Sequence, residues 1–152
     1  AAMTKSVYRR GLEVGCSIGV LTALLAPRCD HLLALDGSQT AITEARRQGI
    51  PAVTFEVACL PDEFPRATFD LILLSEVLYY FAAVDLARVA QLCLDAIEPG
   101  GDIVRGHWLG ETDYPLTGTE ASELFACQIK QALPVRSILH DAVYRLERFS
   151  AG

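Results

Sequence analysis

The sequence predicts an α/β three-layer sandwich: a mostly parallel seven-stranded sheet, helices on both faces, and an antiparallel C-terminal hairpin. Three observations lead there. Over the first hundred residues, short apolar runs alternate with helical patterns at short intervals, which specifies a parallel sheet covered on both sides. Leu71 to Leu74 is apolar on both faces, as a central parallel strand must be. Near the end, Pro134 to Leu139 and Val143 to Phe149 read as strands separated only by His140, Asp141 and Ala142. A connection that short permits antiparallel pairing and forbids a parallel crossover.

The elements follow in order. Residues 8–14 form the first strand, closing on Gly15. Ile18 to Ala26 is an apolar helix ended near Pro27, whose ring cannot donate a backbone hydrogen bond. His31 to Leu35 is the second strand, closed by Asp36-Gly37. Ser38 suits the N-cap of a helix through Arg47, and Gly49 suits the position after it. Ala52 to Val57 is the third strand and Phe69 to Leu74 the fourth. Leu86, Val89, Ala90, Cys93, Leu94 and Ile97 recur on one helical face, and Pro99-Gly100-Gly101 stops that helix. Ile103 to His107 is the fifth strand. Thr117 and Glu120 form a capping box for a helix to about Ala132, and the hairpin follows.

Composition narrows the function. The chain has 152 residues, 51% hydrophobic and 21% charged, which fits one domain over residues 1–152. A chain of that size buries roughly 68–70% of its unfolded surface and needs no staple. No apolar run approaches the ~18 residues of a membrane span. The net charge is −6, with 13 Lys and Arg spread along the chain, so neither a nucleic-acid track nor a membrane partner is expected. The five cysteines (Cys16, Cys29, Cys59, Cys93, Cys127) are far apart with no C-x-x-C; they read as free thiols of a cytoplasmic protein, and no metal site is expected.

In such a sheet ligands bind at the carboxyl strand ends, where the strand order reverses. Gly15 and Gly19 flank the turn after the first strand. Either they serve only the geometry of that turn, or they bring backbone close to a ligand. Asp36 ends the second strand 21 residues after Gly15. It either caps the next helix or accepts hydrogen bonds from ribose hydroxyls. Together they favour an adenosine-containing ligand. A dinucleotide loop is disfavoured, because Ser17 and Val20 stand where G-x-G-x-x-G needs glycine. No Walker A sequence is present, so a nucleoside without phosphate fits better.

At this point the residues resemble a family, the class I S-adenosylmethionine-dependent methyltransferases, with their Rossmann-like fold. LEVGCSIG (12–19) resembles the E/D-x-G-x-G-x-G loop, with Ser17 at the middle glycine. LALDGS (33–38), FDLILLSEVLYYF (69–81) and IEPGGDIV (97–104) resemble its ribose-acid segment, fourth-strand motif and turn before the fifth strand. Within that superfamily, GCSIGVLTALLAPRCDHLLALD (15–36), SEVLYYF (75–81) and GHWLGETDYPLTG (106–118) resemble the nodulation protein S (NodS) group. Those are N-methyltransferases acting on the free amine of a chitooligosaccharide. Relatives usually carry helices before the first strand that close over the cofactor; most of that cover is expected to be missing here.

The resemblance implies S-adenosyl-L-methionine as cofactor and S-adenosyl-L-homocysteine as product. It implies Glu13, Gly15, Cys16 and Gly19 around the methionine end, Asp36 with Gly37 at the ribose, Ala58 and Cys59 beside adenine, and Ser75 near the methyl group. Positioning supplies most of the acceleration in a direct displacement. The expected acceptor is a small molecule, an amino sugar or chitooligosaccharide among the candidates. An amine attacks only when neutral, so Glu76 and His107 are the candidate bases. Tyr79, Tyr80, Trp108 and Tyr114 offer the apolar faces with polar handles that sugars favour. The alternative is a non-catalytic domain that binds an adenosyl ligand, since fold alone does not establish activity.

Overall fold

The computed structural model describes residues 2–150. The chain runs β1 (Tyr8–Val14), α1 (Val20–Leu25), a single 3-10 turn (Ala26–Arg28), β2 (Cys29–Asp36), α2 (Gln39–Arg47) and β3 (Val53–Val57). It continues β4 (Phe69–Ser75), a second 3-10 turn (Leu78–Tyr80), α3 (Ala83–Ala96), β5 (Ile97–Trp108), α4 (Gly118–Ile129), β6 (Val135–His140) and β7 (Tyr144–Ser150). The seven strands form one sheet in the order β3-β2-β1-β4-β5-β7-β6. β3, β2, β1, β4 and β5 pair in parallel; β7 runs antiparallel to both β5 and β6. The order reverses between β1 and β4, where this architecture opens a crevice. Among the described residues no helix is long and apolar enough to cross a membrane.

Both faces of the sheet are packed. On one, Leu12, Ile72, Leu74, Ile103 and Phe149 meet Leu86, Val89 and Cys93 of α3 and Phe125 and Ile129 of α4. On the other, Leu32, Leu71 and Val104 pack with Leu25, and Ala34 and Phe55 with Ile42 and Ala45 of α2. Ser38 caps α2 by accepting the Ala41 N–H at 3.2 Å. The Thr117–Glu120 capping box opens α4 as predicted.

Several boundaries differ from the sequence reading. α1 starts at Val20 rather than Ile18, because Gly15, Ser17 and Gly19 take left-handed φ values of 80°, 51° and 87°, which no right-handed helix can contain. β2 begins two residues earlier, at Cys29. Pro99-Gly100-Gly101 does not lie outside the regular elements: β5 starts at Ile97, immediately after α3, and runs through these residues with Gly100 at φ 74° and a register shift against β4.

Two buried carboxylates tie the N-terminal segment beneath the sheet. Asp102 accepts the Thr4 N–H at 2.9 Å, the Thr4 hydroxyl at 2.5 Å, the Ser150 hydroxyl at 2.9 Å and the Tyr8 hydroxyl. Asp70 accepts the N–H groups of Arg9 (3.1 Å) and Arg10 (2.9 Å) and pairs with Lys5 at 3.2 Å. Burial pushes both carboxyls upward, but these donors outweigh it and hold both below their ordinary value. A depressed folded value contributes stability that is whole above the unfolded value, about 3.9, and is lost as pH falls through the folded one. Thermal unfolding across an acid series is therefore expected to give a level Tm above that point and a falling one below it. Asp102→Asn should lower the level part and flatten the fall.

A second buried charge group lies where β5 faces β7. Arg105, fully buried, stands opposite Glu147 and donates to its carboxylate through Nη2. Arg145 donates to the other oxygen through Nε (2.8 Å) and Nη2 (2.6 Å). Burial, then the neighbouring Arg145 charge, push Arg105 down to about 9.

Candidate active site

The carboxyl ends of β1, β2 and β4 border a cleft of about 740 Å³. The chain leaves β1 through Gly15, whose N–H, with that of Cys16, donates to the Leu35 carbonyl at 2.8 and 2.9 Å. The loop is thereby pinned to the end of β2. Gly15 is required twice: its φ is left-handed, and an added Cβ would stand 2.9 Å from the Val77 Cβ. Ser17 holds the left-handed conformation without being glycine, and its N–H donates to Asp36 at 2.9 Å.

The other Asp36 oxygen accepts the Ser38 N–H at 2.9 Å. The carboxylate thus braces the turn into α2 and lines the cleft as well. Two of its roughly four acceptor positions are used; the rest can receive a diol. Ala58, whose N–H donates to the Asp36 carbonyl at 3.0 Å, forms the cleft wall with Cys59, Leu60, Val77 and Phe81. These small and apolar groups suit a flat heterocycle. The Cys59 N–H is taken by the Glu63 carboxylate at 2.6 Å.

The structure gathers Gly15, Asp36, Gly37, Ala58, Cys59, Ser75, Glu76, Tyr79 and Tyr80 on this one cleft. Glu13 and Cys16 instead line an adjoining cavity of about 260 Å³ that shares Gly15, Ser17, Ser75 and Glu76 with the first. Glu13 is buried and accepts the Thr22 hydroxyl at 2.6 Å; burial raises its pKa against that bond. Burial, with Glu13 and Asp36 nearby, pushes the Cys16 thiol up to about 12. Gly19 lies on neither wall: it packs near Ala45, Gln48 and Phe55.

Glu76 follows β4 with a left-handed φ of 53°. Its carboxylate accepts the Tyr79 hydroxyl at 2.8 Å and the Trp108 N–H at 2.9 Å. The Tyr79 ring stacks on Tyr114, centroids 5.3 Å apart and 7° from parallel, and Tyr114 lies 4.3 Å from Tyr80. Tyr114 therefore reaches the cleft through its two neighbours. Its hydrogen bond, then burial, push the Tyr80 phenol up to about 12. Burial, then the Glu76 carboxylate, raise Tyr79.

His107 and Trp108 are placed otherwise than expected. His107 is fully buried, and its Nε2 accepts the N–H groups of Val77 (3.2 Å) and Leu78 (2.9 Å). Burial, then the Arg105 charge, push it down to about 3. Its accepting nitrogen is already spent on backbone, so it holds the turn after β4 and is not free to take a proton. Trp108 is half exposed, and its ring lies over Gly110, where an added Cβ would fall 1.9 Å from it. Only its backbone N–H reaches Glu76.

Sequence reasoning missed Ser38, Leu60 and Phe81 on the cleft. The loop spacing pointed to Ser17, since it occupies the middle position of the glycine pattern.

A family model for a methyltransferase domain matches residues 12–101. Nodulation protein S of Rhizobium tropici is 38% identical over 108 residues, 69% of this chain and 45% of that protein. Nodulation protein S of Sinorhizobium fredii (strain NBRC 101917 / NGR234) is 32% identical over 108 residues, 69% of this chain and 50% of that one. The chain thus spans about half the length of these curated relatives. The crystal structure of a candidate methyltransferase from Pseudomonas syringae, 32% identical, superposes with a TM-score of 0.81 and covers 98% of this chain and 91% of its own. That of N-methyltransferase NodS from Bradyrhizobium japonicum WM9, in complex with S-adenosyl-L-homocysteine, shares the fold with a TM-score of 0.77 at 23% identity, over 95% of this chain and 79% of that one.

Proposed function

The chain belongs to the methyltransferase-domain family, and on that premise we propose that its cleft takes S-adenosyl-L-methionine and directs methyl transfer to the amine of a small-molecule acceptor, an amino sugar or chitooligosaccharide by likeness to the nodulation proteins. The carrying observation is Asp36: a carboxylate at the carboxyl end of β2, pinned by two backbone donors, on the same cleft as the Gly15 loop and the apolar Ala58–Leu60 wall.

The residues present fit that cofactor. Asp36 holds the ribose hydroxyls, the apolar wall takes adenine, and the Gly15–Ser17 turn, which leaves backbone uncovered, takes the methionine end. Glu13 and Cys16 back this turn from the adjoining cavity. When bound, S-adenosyl-L-methionine supplies an activated methyl group. What the chain adds is orientation. Glu76, fixed by its two donors, holds the acceptor's ammonium at the lip of the cleft, and one of its remaining lone pairs takes the proton that must leave before the nitrogen can attack. Tyr79, Tyr80 and Tyr114 give a sugar ring its apolar contact. His107 holds the Val77–Leu78 backbone and thereby the presentation of Glu76, Tyr79 and Tyr80.

The test is a mass-shift screen of amino sugars, chitooligosaccharide amines and other amines, beside thermal unfolding with ligand. S-adenosyl-L-homocysteine at a hundredfold over its Kd should add about 2.7 kcal/mol and raise Tm. A larger shift with NADH would overturn the cofactor. Binding with no turnover on any amine would leave a ligand-binding domain.

A further inference from the structure

We infer that the interior between α4 and β5 carries a site for a small monovalent anion of the halide class, held by Arg105, His107 and Ser122. The site lies outside the adenosyl cleft and does not depend on the acceptor reading given above.

Among the described residues, the buried side-chain atoms without a hydrogen-bond partner are Nε and Nη1 of Arg105, Nδ1 of His107 and Oγ of Ser122. All three residues are fully buried, and the fold brings them together. Side chains alternate along a strand, so Arg105 and His107 share the face of Ile103, which packs in one core with α3 and α4. α4 runs along this face. At its start Gly118 is so close to β5 that an added Cβ would fall 1.8 Å from the Trp108 carbonyl oxygen. Further on, Phe125 meets Phe149 with ring centroids 5.9 Å apart, and Phe149 pairs with Ile103. Gly118, Ser122 and Phe125 step by four and three, which keeps them on one helical face. Ser122 therefore comes down between those two contacts, level with Arg105 and His107.

Every one of these atoms can donate. A guanidinium has no acceptor. His107 Nε2 accepts the Val77 and Leu78 N–H groups, so in the neutral ring the hydrogen sits on Nδ1. Burial, then the Arg105 charge, keep that ring neutral. The Ser122 hydroxyl turns to suit its partner. A water fits such a set poorly, because it must donate as well as accept, whereas an anion accepts from all of them. The charge agrees. Arg105 and Arg145 share the single carboxylate of Glu147, which leaves one positive charge in a largely buried place, and a buried charge without its counter-charge is costly. One monovalent anion balances it. Fully buried Ile103, Phe125 and Phe149 beside the group favour a monatomic ion over a larger oxyanion.

The experiment follows thermal unfolding of the whole chain at one fixed ionic strength, with sodium chloride or sodium bromide replacing sodium gluconate. A ligand held only by the folded state raises stability once its concentration passes Kd. Above that point each tenfold rise in halide should lift Tm by about 3–5 °C for a domain of this size. Ser122→Ala removes one donor and keeps the helix. Its apparent halide Kd should rise about tenfold, the size of one hydrogen bond to a charged group. In gluconate alone it should match or exceed the parent Tm, because the hydroxyl it removes has no partner there. A serine that only packs would instead lower Tm equally in every salt. Bromide-soaked crystals should show an anomalous peak among Arg105, His107 and Ser122. A Tm indifferent to which anion is present, a halide response unchanged in Ser122→Ala, or a water in place of the bromide peak would overturn the inference.

Discussion

Glu147→Ala should destabilise the protein by about 3–5 kcal/mol, the loss found when one partner of a buried ion pair is removed. The carboxylate serves two guanidinium groups at once, and Arg105 has no exposed surface through which water could replace it. Without Glu147 the site holds two like charges in a largely buried environment, where burial and the Arg145 charge already push Arg105 down to about 9. Urea unfolding should show the midpoint shift with the slope unchanged. Replacing the group together, as Arg105→Met, Arg145→Met and Glu147→Leu, should restore most of the loss, because an apolar cluster of similar volume avoids the desolvation cost of both guanidinium groups. A single Glu147→Ala change costing under about 1 kcal/mol, the value of an exposed pair, would mean that water reaches this group.

Asp36→Ala should weaken S-adenosyl-L-homocysteine binding by about 10–100-fold, which is 1.4–2.8 kcal/mol at 1.4 kcal/mol per decade. Two effects combine. The ribose acceptor goes, and the Ser17 and Ser38 N–H groups lose the carboxylate that fixes the loop. Asp36→Asn separates them: its amide oxygen can still brace one N–H, so the fold should keep its Tm while affinity falls. Isothermal titration beside thermal unfolding gives both numbers. Unchanged affinity in both variants would remove Asp36 from the site and with it the adenosyl reading of the cleft.

What the sequence made legible follows from range. β1, β4, the Ser38 cap and the Thr117–Glu120 box were readable because their determinants lie within a few residues: an apolar run, a hydroxyl three residues before an amide, a threonine and a glutamate at matched spacing. The placement of Glu76 and Asp36 on one cleft was readable because strand ends converge on one edge of a parallel sheet. The start of α1 was misplaced because Ile18 fits the apolar pattern, while the left-handed backbone at 17 and 19 overrides it. β5 was read short because Pro99 and Gly100 break patterns locally, yet a strand edge tolerates both once α3 has ended. The role of His107 turned on burial and on which N–H groups face its ring, and neither leaves a mark in the chain.

The Asp102 carboxylate also couples the opening of two distant segments. It collects hydroxyls from Thr4 and Tyr8 and from Ser150, so a single side chain is shared between the opening segment and the closing strand. A hairpin at the margin of a sheet would ordinarily fray by itself, exchanging its amide hydrogens far sooner than the centre. Here release of β7 also strips a donor from the group that anchors residues 4–8, and release of that segment uncovers the group that holds β7. Residues 4–8 and β7 should therefore open as one cooperative unit, with matched protection in hydrogen exchange, and Asp102→Asn should split that unit in two.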